Sequence, residues 1–195
     1  MLPRTVTLGD GSARSIRPLV PSDREALVAG FDSLSPESRI RRFFFEKQTL
    51  SEKELHHLTH PDGFNHLAIV LEVAWENSSR AQPIAVARCF RDEHDRSLAE
   101  VAFVTRDEWQ GHGIGTALVQ ALAEAAWRVG IRRWFAALFS DHRTTRNLLR
   151  RVGRLDQETT VGSGVVEIVC HLYSHDSNGP QTALGESNSG EQLKD

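Results

Sequence analysis

Cysteine is scarce in this sequence: there are two in 195 residues, Cys89 and Cys170. They stand far apart, form no Cys-x-x-Cys pair, and each lies inside an apolar run. That argues against a disulfide-stapled scaffold and reads as two buried thiols in a cytoplasmic protein. Long hydrophobic runs are missing too. No stretch approaches the roughly 18 apolar residues of a membrane-spanning helix, and the opening MLPRTVTLGDGSARS has no apolar leader core. Charge of one sign is also in short supply. Lys and Arg number 23 against 26 Asp and Glu, a net charge of −3, which lacks the basic excess of a nucleic-acid binder. What remains is an ordinary globular composition, 39% hydrophobic and 25% charged, long enough for one unaided core. The polar segment 174–195 reads as a disordered tail on a single domain over 1–173.

The pattern along the chain is specific. Two short alternating runs flank Gly9-Asp10-Gly11 and predict a hairpin within residues 5–18. Ser22 reads as the cap of a first helix, Ser35-Pro36 as the start of a second, and Ser51-x-x-Glu54 as the capping box of a third. Runs at 66–75, 83–91 and 98–105 predict an antiparallel meander, with a polar turn over 76–82. Helical spacing from Ile114 to Val129 ends at Gly130. A strand over 131–139, a helix over 141–152 and a strand pair at 155–161 and 165–173 complete the chain. There is no internal repeat.

Between the meander and the long helix stands Trp109-Gln110-Gly111-His112-Gly113-Ile114-Gly115-Thr116. Glycine inside a helix costs about 1 kcal/mol against alanine, so these glycines answer a demand other than helix stability. A helix N-terminus offers unpaired N–H groups and a partial positive charge. Glycines there let a phosphate reach those amides; a ligand-free turn accounts for the glycine count equally well. The P-loop pattern fails because Gly115 is followed by Thr116-Ala117, and the dinucleotide fingerprint fails because Thr stands at 116. The pattern Q/R-x-x-G-x-G/A fits Gln110 to Gly115 throughout.

That pattern resembles the acetyl-CoA motif of the GNAT superfamily of N-acetyltransferases, and the order of elements over 5–173 is similar to the whole GNAT fold. "DGSARSIRPLVPSDREALVAGFDSLSPESRIRRFF" and "AEVAFVTRDEWQGHGIGTALVQAL" are similar to one branch, the bacterial Pat-type protein lysine acetyltransferases. The resemblance implies an α+β fold with a mixed central sheet flanked by helices. It implies acetyl-CoA as cosubstrate, lying in a V-shaped opening beside the strand that ends near Thr105. Backbone groups around Val104 and Thr105 would bond the pantetheine arm. The segment Gln110, Gly111, His112, Gly113, Ile114, Gly115 and Thr116 would hold the pyrophosphate.

Glu100 is the candidate general base. It interrupts the apolar run Ala99–Val104, and period two puts it on one face with Ala102 and Val104. Partial burial there would raise its pKa; the other reading is a solvent-facing residue. The resemblance places the branch's catalytic glutamate at this position. The family's tyrosine acid falls on Leu149, its asparagine on His142 and its phenylalanine on Arg154, so a general acid is not evident. The implied acceptor is a protein lysine, with a small-molecule amine or a non-catalytic acyl-CoA sensor as alternatives. The expected state is a monomer or homodimer, without nucleic acid, membrane or metal as partner. His56, His57, His60 and His66 lack the spacing and companion ligands of a metal site. Arg39, Arg41 and Arg42 read as a solvated helix face, with contact to an acidic substrate or a CoA phosphate as the alternative.

Overall fold

The computed structural model describes residues 2–74 and 81–174. The expected turn over 76–82 and the tail from 174 fall almost wholly outside them. In chain order the strands and helices are β1 (Arg4–Thr7), β2 (Ala13–Pro18), α1 (Arg24–Asp32), α2 (Pro36–Phe43), α3 (Glu52–Thr59), β3 (His66–Val73), β4 (Gln82–Arg91) and β5 (Leu98–Thr105). They continue with α4 (Ile114–Arg128), β6 (Arg133–Phe139), α5 (Arg143–Arg150), β7 (Gly153–Gly162) and β8 (Val165–Leu172). The eight described strands form one sheet ordered β1-β2-β3-β4-β5-β6-β8-β7. Every neighbouring pair is antiparallel except β5 and β6.

Local chemistry sets most of the boundaries. Ser35 caps α2 by accepting the Ser38 N–H at 3.2 Å, with Pro36 at the first helical position. Ser51 and Glu54 close a reciprocal capping box on α3. The start of α1 departs from the expectation. Ser22 lies inside a 3-10 turn over Pro21–Asp23, and the helix begins at Arg24. The reason is Asp23: its carboxylate takes two bonds from Arg17 and one from the Val20 N–H, which shapes the entry turn instead of a serine cap.

The core lies between one sheet face and α4. Ala87, Cys89, Ala99, Val101, Trp134 and Leu138 meet Leu118, Val119, Leu122 and Ala126, all nearly inaccessible. Helices α1, α2 and α3 cover the opposite face, where Leu19, Ala68 and Val70 are buried with Leu27 and Val86 against them. Both cysteines are free and buried, as expected, and burial pushes each thiol up to about 12. Thiols so raised are inert as nucleophiles at neutral pH. No helix among the described residues is long and apolar enough to cross a membrane.

Candidate active site

The parallel pair β5–β6 runs in register only from Leu98↔Arg133 to Glu100↔Phe135. Beyond Glu100 the strands part. The β6-facing backbone groups of Val101 to Thr105 therefore have no strand partner, and a cavity of about 460 Å³ opens there. Its walls include Glu100, Val104 and Thr105 from β5, Ala137 from β6, His142 and Leu148 from the α5 region, and Arg42 from α2. The glycine segment lies along it. Of the residues singled out from the sequence, Glu100, Val104, Thr105, Gln110, Gly111, Gly113, Ile114, Gly115 and Thr116 all line this one cavity. His112 does not. Its ring packs beside Trp109, centroids 5.9 Å apart, with Nδ1 3.0 Å from the Gln110 carbonyl oxygen.

The glycines divide by task. Gly113 is the N-cap of α4 at φ 81° and has no side chain with which to cap it. This left-handed backbone disfavours any residue with a Cβ; the Thr116 N–H is taken by the Gly113 carbonyl oxygen at 3.1 Å, which leaves the Ile114 and Gly115 amides as the first-turn groups without an intrahelical partner. Gly115 answers a different demand. A Cβ there would meet Leu148 Cδ1 at 3.1 Å and Cδ2 at 3.3 Å, so its small size serves the packing of α4 against α5. Gln110 also differs from a direct ligand contact: its amide donates to Asp107 Oδ1 at 2.9 Å.

Asp107 left no signal in the sequence. It accepts from the Ser35 N–H at 2.9 Å and the Ser38 hydroxyl at 2.7 Å, joining the first turn of α2 to the glycine segment through Gln110. Burial pushes this carboxyl up, but the bonds from Ser38 and Ser35 outweigh it and hold it below its ordinary value. Its contribution to stability is thus present above the usual carboxylate pKa and lost as pH falls through the lowered value. We expect Asp107→Ala to cost about 1–2 kcal/mol, read as a lower melting temperature, and to loosen both walls of the cavity.

Glu100 sits where the strands part, on the face with Ala102 and Val104 as period two requires. It is exposed rather than partly buried. Arg42 is half-buried and lines the same cavity as Glu100: burial holds its guanidinium below the ordinary value, with the Glu100 charge acting the other way. Arg39 lies over the Phe31 ring at 4.6 Å, and Arg41 pairs with Glu37. His142 precedes α5 with Nδ1 2.9 Å from Thr145 Oγ1. Burial and then the charge of Arg41 keep it below its ordinary value, hence neutral at pH 7. Leu149, at the tyrosine position, is fully buried and faces no ligand space.

The histidines pack as rings. His57, His66 and Phe90 stack together, His66 to Phe90 at 4.2 Å, and His56 stacks on His60. No group of metal-ligating side chains occurs among the described residues. Burial, then the nearby charges of Arg88 and His57, hold His66 down to about 4. The unfolded chain takes up this proton near pH 6.5 and the folded one only near 4. Stability is therefore expected to fall by up to about 3 kcal/mol as pH drops through that window. His66→Phe keeps the stack and should flatten the loss in urea titrations at pH 4.5 and 7.

A family model described as Acetyltransferase (GNAT) family matches residues 33–153, more than half of the chain. The chain belongs to the GNAT acetyltransferase family. Among its relatives is the acetyltransferase Pat of Mycolicibacterium smegmatis, 30% identical over 166 residues. That match covers 85% of this chain and 48% of Pat, so the chain spans about half the length of that relative. The solved GNAT domain of S. lividans PAT superposes with a TM-score of 0.76 at 28% identity, covering 87% of this chain and 97% of that domain. A phosphinothricin acetyltransferase from Sinorhizobium meliloti, solved in complex with AcCoA, shares the fold. Its TM-score is 0.64 at 20% identity, over 87% of this chain and 94% of that one.

Proposed function

We propose that this chain transfers an acetyl group from acetyl-CoA to an amine in the cleft between β5 and β6, with Glu100 as general base. The observation that carries the reading is the convergence on one cavity of an unpaired strand edge, the open first turn of α4 and a carboxylate at the vertex. These groups suit the cosubstrate. The amides at Gly111 to Gly115 would face its pyrophosphate, and the free edge at Val104 and Thr105 its amide-bearing arm. When bound, acetyl-CoA supplies an acyl carbon activated as a thioester.

Glu100 accepts the proton that the amine must lose to attack, directly or through one water. A β5 N–H near Val104 donates to the oxygen that gains negative charge as the amine adds. The departing thiolate takes its proton from water, because Leu149 is buried and Tyr173 follows β8 beside Val152, next to the start of β6 and off the cleft lining. Direct attack is the route, since both thiols are buried and their pKa values are raised. The likeness to Pat supports a protein lysine as acceptor. The test is CoA release from acetyl-CoA in the presence of lysine-bearing proteins and small amines. Turnover on proteins supports the lysine reading, and turnover on small amines alone replaces it. Tight acetyl-CoA binding without turnover on either would leave a sensor.

A further inference from the structure

Two guanidinium groups, Arg42 on α2 and Arg88 on β4, meet on the sheet face that α1, α2 and α3 cover. Arg88 stands opposite Ala102 in the β4–β5 register, so it shares the face of Glu100 one pleat away. It is 4% exposed and spends one N–H on the Leu58 carbonyl oxygen at 2.9 Å, near the end of α3. Arg42 enters from α2. Among the described residues neither forms an ion pair. Burial, and then the charge of Arg42, hold Arg88 down to about 9. Only Glu100 draws Arg42 the other way.

Arg88 is buried and Arg42 half-buried, and charges of like sign so placed are costly unless something of opposite sign joins them. The space beside them fits such a group. Arg42 and Arg88 border a chamber of about 100 Å³ that Arg106 and Asp23 also line, the Asp23 carboxylate being taken by Arg17; the remaining walls are apolar, among them Leu27, Phe31, Val70 and Val86. That is room for a carboxylate on a short hydrocarbon stem. Leu34, Arg42 and Val104 border both this chamber and the cleft, so the two spaces adjoin.

We infer that the chamber is the anion-binding end of the acceptor site, and that the acceptor carries a carboxylate which meets Arg42 and Arg88 while its amine meets Glu100. The inference rests on the proposed amine transfer and narrows its acceptor. Arginine suits the task because its planar fork matches a carboxylate. The carboxylate belongs either to a free amino acid or to an acidic side chain beside an acceptor lysine.

The experiment compares CoA release with free lysine, glutamate and 4-aminobutyrate against their carboxamides. A second arm compares lysine peptides flanked by Glu with the same peptides flanked by Gln. In at least one arm the acids should react with kcat/KM at least about tenfold above the neutral partners, and that arm names the source. Arg42→Gln should bring the ratio close to one; it is the better variant because Arg88 also ties the end of α3. Equal rates for acids and amides, or a ratio that survives in Arg42→Gln, overturn the inference. Glutarate titrated by calorimetry without acetyl-CoA separates this from failure of the transfer reading. Glutarate binding that Arg42→Gln abolishes supports the anion site even if no amine turns over. Absence of glutarate binding overturns it.

Discussion

Glu100→Gln is expected to lower kcat by about 10² to 10⁴ while leaving acetyl-CoA affinity within a factor of a few. An alkylammonium with a pKa of about 10.4 must lose its proton before it attacks, and glutamine cannot take it. The side chain is exposed at the vertex of the cleft, so the isosteric change disturbs no packing. The variant's melting temperature should stay close to wild type. The pH profile separates the roles. With Glu100 acting as base, the rate of the variant should climb with pH as the free amine itself becomes available, and the gap to wild type should narrow toward pH 10. A rate within threefold of wild type at pH 7 would place the base elsewhere.

Trp134→Ala carries the largest expected cost to stability, about 3–5 kcal/mol. The indole is fully buried, pairs in register with Ala99 one residue before the strands part, and meets the Phe103 ring edge-on at 6.3 Å. Truncation leaves a void between β5, β6 and α4, and rigid surroundings close such voids only in part. Loss of that packing also frees the vertex on which Glu100 is placed. Urea unfolding should show a large fall in midpoint, and activity per folded molecule should drop as well. A loss below about 1 kcal/mol would mean that the core closes over the gap.

Much of this arrangement was legible from short-range chemistry. Ser35-Pro36 and Ser51-x-x-Glu54 announced α2 and α3 because a cap is decided within four residues. The meander, the long helix and the side of β5 that bears Glu100 followed from periods of 2.0 and 3.6. The features that escaped depend on partners distant in the chain. Glu100 is exposed and stands at the last pair before β5 and β6 part, which no pattern within β5 records. Arg42 sits in a run that looks solvated, and only the docking of α2 on the sheet turns it inward. Arg88, lodged among apolar residues of β4, was the available sign of buried charge. Asp107 meets Ser35 and Ser38 across the fold. The packing reason for Gly115 lies in Leu148.

The chemistry of the cleft stands or falls with the cosubstrate, and calorimetric titration of acetyl-CoA into the protein tests it most directly. Saturable binding with one site per chain is predicted, weakened at least about tenfold by Gly113→Val, since a branched side chain at φ 81° strains the turn that presents the α4 amides. No heat of binding at any acetyl-CoA concentration up to the millimolar range, with the wild-type chain shown to be folded, would contradict it.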